Sequence, residues 1–283
     1  MKSFNLSTRV RISIVTIVVV VFYVLTINVD LAGTLGFKFQ LNFDPVKHIL
    51  LAIILYFGTY WALFFKIGRE RFLTILLFPA LAVISGTFIS ELMLNYVFPS
   101  GVGQVTFEIF TVFLVGLFTY ISILTVNILN AHYLSNIPLG QAAKASYFVL
   151  SLLTSFIIYF ILLGNDIDIG IKAGLMFLFT DLISYMCLWS IEYKRKERAV
   201  VAFAIALLIT TGQLILTPWP INATYIALTL NLVFYLVLNI AMEMREILSK
   251  WIWIEYAILI TFMLIVLILL GEWGINGALV LGN

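Results

Sequence analysis

The sequence predicts an all-α polytopic integral membrane protein, a bundle of about nine transmembrane helices with the N-terminus inside and the C-terminus outside. Three observations lead there. Hydrophobic residues make up 63% of the 283 and charged residues only 11%, with a mean hydropathy of +1.13, where soluble domains run at roughly 45–50% and 25%. Apolar stretches long enough to span a bilayer recur along the whole chain. The basic residues between them alternate sharply from one connection to the next.

A soluble chain of this size cannot hide so much apolar surface from water. A soluble enzyme, a nucleic-acid binder and a disordered chain are therefore excluded. The one cysteine, Cys187, cannot form an intramolecular disulfide, and His48 and His132 are the only histidines. A disulfide scaffold and a thiolate or histidine-rich metal centre are excluded with them. No metal or other cofactor is expected, and the partners expected first are membrane lipids.

Crossing about 30 Å of hydrocarbon takes about 20 mostly apolar residues. Windows of that length fall at approximately 12–30, 46–66, 72–97, 107–131, 142–163, 169–192, 199–217, 221–244 and 252–271, giving one transmembrane domain over 1–283. Each is apolar nearly all round and lacks the alternation of a membrane strand. Backbone amides in lipid must find partners within the protein, so the runs should be helical. The basic start MKSFNLSTRVR leads into apolar Ile12–Val29 with no small-residue cleavage pattern, so this stretch reads as a retained first span. Connections such as Phe98-Pro99-Ser100-Gly101, Pro138-Leu139-Gly140 and Pro218-Trp219-Pro220 are short turns. No internal repeat of the kind found in many transporters is visible.

Orientation follows from positive charge. Nine spans place 13 of the 16 Lys and Arg on one side and leave only Lys38, Lys47 and Lys172 on the other. The rich side is the cytoplasmic one. The run Lys194-Arg195-Lys196 can be read as an anionic-lipid site, but a topology determinant is the plainer reading. Trp189, Trp219, Trp251, Trp253 and Trp273 lie near span ends, where an interfacial aromatic belt would place them.

Ionisable residues inside spans are costly and raise functional hypotheses. Asp181 lies 12 residues into the sixth window, roughly 18 Å from its outer end and near the midplane. Ser184 and Tyr185 follow at i+3 and i+4 on the same face, and Gly170 and Gly174 form a small-xxx-small pair suited to close packing. No intramembrane Lys or Arg offers itself as a partner. Asp181 is thus a transport-site candidate, with a structural carboxyl hydrogen-bonded to a neighbour as the plainer reading. Asn127, Gln213, Asn231 and Asn239 read as helix-bridging amides.

A second group converges on the outer face. Asp44 and His48 open the second span, Glu91 lies about 20 residues after Arg71 in the third, and Glu108 opens the fourth after the loop Phe98–Gln104. Carboxylates and an imidazole at one depth can bind a cation or a polar headgroup, or supply acid–base chemistry. Taken singly, Asp44 and Glu108 can also be read as acids favoured by a helix N-terminus.

The order Asp44-xxx-His48, Glu91-Leu92, Phe98-Pro99-Ser100-Gly101 and Glu108, with Gly116 eight residues later, resembles the VanZ-like membrane proteins over about 44–120. The match departs at the lysine beside the Asp, which is displaced to Lys47, at the glutamine after Glu-Leu, at the basic loop residue and in having Glu108 for Asp. The resemblance implies an envelope protein whose outer-face cluster engages a cell-wall or lipid-linked ligand, so an amphiphilic or lipid-linked ligand is the leading expectation, and the lack of large loops points to a prokaryotic cytoplasmic membrane. UbiA-type prenyltransferases share the span count, but they need two acidic Mg²⁺ motifs on the cytoplasmic side. Here Asn165-Asp166-Ile167-Asp168 stands alone and on the outer side. Whether the chain is an enzyme stays open. The alternatives to the outer-face reading are a small-solute or ion transporter using Asp181 and a non-catalytic subunit of a membrane complex.

Overall fold

The computed structural model describes residues 7–26, 45–63, 72–96, 102–135, 139–165, 167–190, 194–219 and 221–243, together with 254, 256–261, 265 and 269. Side chains at 45, 72–74, 89–96, 102–104, 133–135 and 243 lie outside that description. The regular structure among the described residues is helical, as an apolar chain in lipid requires. The helices are α1 (Thr8–Thr26), α2 (Pro45–Ala62), α3 (Phe72–Tyr96), α4 (Val102–Ser135), α5 (Gly140–Gly164), α6 (Ile169–Trp189), α7 (Arg195–Leu216) and α8 (Ala223–Glu243). Six of them, α1 and α4 to α8, are long and apolar enough to cross a membrane, and α2 and α3 carry shorter apolar stretches at Val46–Ala62 and Ile75–Phe88. Residues 256–261 are helical within the expected ninth window, most of which lies outside the described residues. The chain is an integral, multi-pass membrane protein.

Local chemistry sets the helix ends. The Asp168 carboxylate accepts from the Gly170 and Ile171 amides at 2.8 and 3.4 Å, capping α6. Asn222 Oδ1 accepts from the Thr224 amide at 3.0 Å in the first turn of α8. Inside the helices, hydroxyls turn back on their own carbonyls: Thr119 on Val115 at 2.7 Å, Ser151 on Tyr147 at 2.8 Å and Thr154 on Leu150 at 2.7 Å. These bonds let polar side chains sit in apolar surroundings without a partner from another helix.

The fourth helix corrects the sequence expectation. It begins at Val102, not near 107, and runs for 34 residues. That is about 51 Å, longer than the hydrocarbon it has to cross. Glu108 therefore does not open the helix but lies about 9 Å along it, beyond the first turn. The helix-terminus explanation of that acid falls away, because the dipole effect fades within the first turn.

By contacts the chain forms two compact units, 1–154 and 155–283, divided within α5. In the first, α1 packs on α2 and α4, and α3 packs on α2 and α4. Two close approaches hold α1: a Cβ on Gly58 of α2 would lie 2.7 Å from Val15 Cγ1, and one on Gly116 of α4 would lie 3.1 Å from Val20 Cγ2. Around them Ile12, Val15, Val19, Tyr23, Leu51 and Leu55 form a buried core. In the second unit α7 packs on α6 and α8. Phe177 meets Phe203 edge-on at 5.2 Å, and Gly212 brings α7 close to Leu230 of α8.

Two sequence expectations are corrected here. Gly174 has nothing within 4 Å of where a Cβ would stand, and Gly170 meets only the Asp168 cap, so this pair mediates no close packing among the described residues. Trp189 is buried and does not join an interfacial belt. The described glycines whose near neighbours belong to other helices are Gly58, Gly116, Gly140 and Gly212.

Candidate functional site

The first unit carries what is described of the outer-face group. α2 starts at Pro45, so Lys47 and His48 stand in its first turn. Both are buried, 3% and 5% exposed. The Lys47 ammonium lies 5.5 Å from the centre of the Tyr23 ring near the end of α1, and the His48 ring lies 6.1 Å from Phe88 of α3. The Val15–Gly58 and Tyr23–Lys47 contacts together make α1 and α2 antiparallel.

Glu91 is in α3, three residues beyond Phe88, and its side chain lies outside the described residues, as does Asp44 altogether. Glu108 is half-buried, and its carbonyl accepts from Thr111 Oγ1 at 2.8 Å. The structure thus brings His48 beside the turn of α3 that precedes Glu91. Lys47, the displaced family lysine and one of the few basic residues assigned to the outer side, is buried. Its signal was its place beside His48 at the head of an apolar helix.

The second unit carries the Asp181 group on α6. Polar rungs tie α5 to α8 and to α6: Ser155 Oγ donates to Asn231 Oδ1 at 2.6 Å, and the Tyr159 and Thr180 hydroxyls are hydrogen-bonded at 3.0 Å. Tyr159 also meets Phe234 edge-on. Asp181 is half-buried and has no hydrogen-bond partner among the described residues. Ser184 is fully buried, and its Oγ has no partner among the described residues. Tyr185 does have one: Arg198 Nη2 of α7 donates to its hydroxyl at 2.7 Å, with the guanidinium 4.2 Å from the ring centre.

Arg198 is a basic residue beside this group, but its contacts are with Tyr185 and not with Asp181. It is only 4% exposed and heads the buried stripe of α7, Arg198, Ala202, Ile205, Ala206, Ile209, Gln213 and Leu216. The expected seventh window, 199–217, leaves Arg198 just outside the span. Among the described residues no hydroxyl or amide bonds the Asp181 carboxyl, whereas Asn231 and Gln213 do bond to hydroxyls. Among the described residues no cluster of three or more His, Cys, Asp or Glu can hold a metal ion.

No family model matches the chain, and neither a curated protein nor a solved structure matches it.

Proposed function

We propose that the chain spans the membrane nine times with its N-terminus inside, and that its outer face binds an amphiphilic or lipid-linked ligand through Asp44, His48, Glu91 and Glu108, as a VanZ-like envelope protein of a prokaryotic cytoplasmic membrane. The burial of two adjacent ionisable side chains, Lys47 and His48, in the first turn of an apolar helix carries this reading. Ionisable groups held inside an apolar bundle cost free energy and are retained where they act. The tyrosine and phenylalanine against them offer apolar walls beside polar heads, the mixture an amphiphile requires.

The test is native mass spectrometry of the protein gently extracted from its own membrane. A discrete bound lipid, lost in both Glu91→Gln and His48→Ala while the protein still inserts, is the expected result. Retention of the same adduct in both variants would sink the reading.

A second reading is a small-solute or ion transporter centred on Asp181. It is favoured by the unpartnered Ser184 hydroxyl one turn from a midplane carboxyl that makes no hydrogen bond among the described residues. In proteoliposomes Asp181→Asn should then abolish uptake or proton coupling. A variant that transports normally, or that only melts earlier, makes Asp181 structural.

A further inference from the structure

We propose that the corner between α6 and α7 is a binding site for a phosphate-type anion, with Arg198 at its base and Lys194, Arg195 and Lys196 at its rim. Arg198 is buried, and its guanidinium is a planar, delocalised cation. Its partners are the ring and the hydroxyl of Tyr185, which solvate the charge without neutralising it. Its Nε–H is buried with no acceptor among the described residues. A buried cation with no counter-charge against it among the described residues, and with an orphan donor, is expensive unless an anion completes it.

The backbone around it makes the same demand. α7 is 22 residues long, and its N-cap, Lys194, supplies no side-chain hydrogen bond to the first turn. The free amides and positive dipole end of such a helix favour an anion. Side chains on a helix lean toward its N-terminus. Arg198, in the first turn, therefore leans toward this end and reaches back to Tyr185, four residues before the last residue of α6. Lys194, Arg195 and Lys196 are exposed around the corner, with Glu197 the one described carboxylate in the turn.

The planar fork of an arginine, an uncapped helix end and flexible lysines together fit the tetrahedral oxyanion of a phosphate. A phospholipid headgroup and a soluble phosphate share that chemistry. None of these residues belongs to the outer-face group, so the two readings stand or fall separately.

The experiment uses the full chain in phosphatidylcholine nanodiscs, titrated with phosphatidylglycerol or with inorganic phosphate, read by native mass spectrometry and by melting temperature. Phosphatidylglycerol should bind saturably and raise the melting temperature, and Arg198→Gln should weaken that binding by at least about tenfold. Lys194→Gln with Lys196→Gln should weaken it less and make it less sensitive to salt. If Arg198→Gln does not insert, Arg198→Lys keeps the charge and loses the Nε–H, and the same affinity should fall. Stabilisation by inorganic phosphate alone, lost with Arg198, assigns the site to a soluble phosphate. Equal behaviour in both lipids with no effect of phosphate, or a folded Arg198 variant that binds like the wild type, overturns the proposal.

Discussion

Arg198 donates a 2.7 Å hydrogen bond to the Tyr185 hydroxyl while its guanidinium lies over the same ring at 4.2 Å. One side chain at the head of α7 thus meets both the polar and the aromatic part of one residue on α6. This double contact keeps an arginine buried in a chain with few charges. Tyr185→Phe leaves the ring and removes the hydroxyl, and should cost about 1–2 kcal/mol. Tyr185→Leu removes the ring as well and should cost about 0.5–2 kcal/mol more. Thermal unfolding in detergent measures both, and equal melting of Tyr185→Phe and the wild type would show that the hydroxyl contact is idle.

The glycine contacts sort into tight and open. Gly58→Ala places a methyl 2.7 Å from Val15 Cγ1 and should destabilise the first unit by about 1–3 kcal/mol, with Val15→Ala restoring much of the loss. Gly174→Ala has nothing within 4 Å and should be neutral or slightly stabilising, since alanine favours the helix over glycine. A Gly174→Ala variant as damaged as Gly58→Ala would mean that its open face is covered.

The polar rungs of the second unit are interhelical hydrogen bonds in an apolar setting, and such bonds are worth about 0.6 kcal/mol on average and about 1.7 at most. Ser155→Ala and Asn231→Leu should each destabilise by that order, and the double variant should cost less than their sum. A double-mutant cycle checks the coupling, and strict additivity would dissolve the pair.

Orientation has a direct chemical test. Cys187 is fully buried, so the folded wild-type protein should resist an impermeant maleimide. Lys194→Cys should label only from the cytoplasmic side and Lys172→Cys only from the outside. Labelling of both from one side would break the nine-span arrangement.

The sequence was most legible where the bilayer does the deciding. Expected spans at 72–97, 142–163, 169–192 and 221–244 meet helices Phe72–Tyr96, Gly140–Gly164, Ile169–Trp189 and Ala223–Glu243. Backbone hydrogen bonding in lipid leaves an apolar stretch no other conformation. The ends were less legible, because α4 continues past the apolar window to Val102 and Ser135, where hydropathy no longer marks it. Of the candidate residues, Asp181, Ser184 and Tyr185 were placed together by helical spacing alone. The partner of Tyr185 was not, since Arg198 is 13 residues away and sits in a run that reads as a solvated loop.

The same division holds across the molecule. By itself the amino-acid sequence determined that this is a helical, multi-pass membrane protein and where most helices run, because burial in lipid depends on composition over about 20 residues and not on neighbours. Only the tertiary structure decided which small residues seat another helix, Gly58 and not Gly174, and which Lys and Arg are buried, Arg11, Lys47 and Arg198 among the described residues. In a chain whose helices are apolar on every side, periodicity cannot tell a face turned to lipid from one turned to protein. That choice rests on contacts between distant segments, such as Val15 with Gly58 and Tyr185 with Arg198.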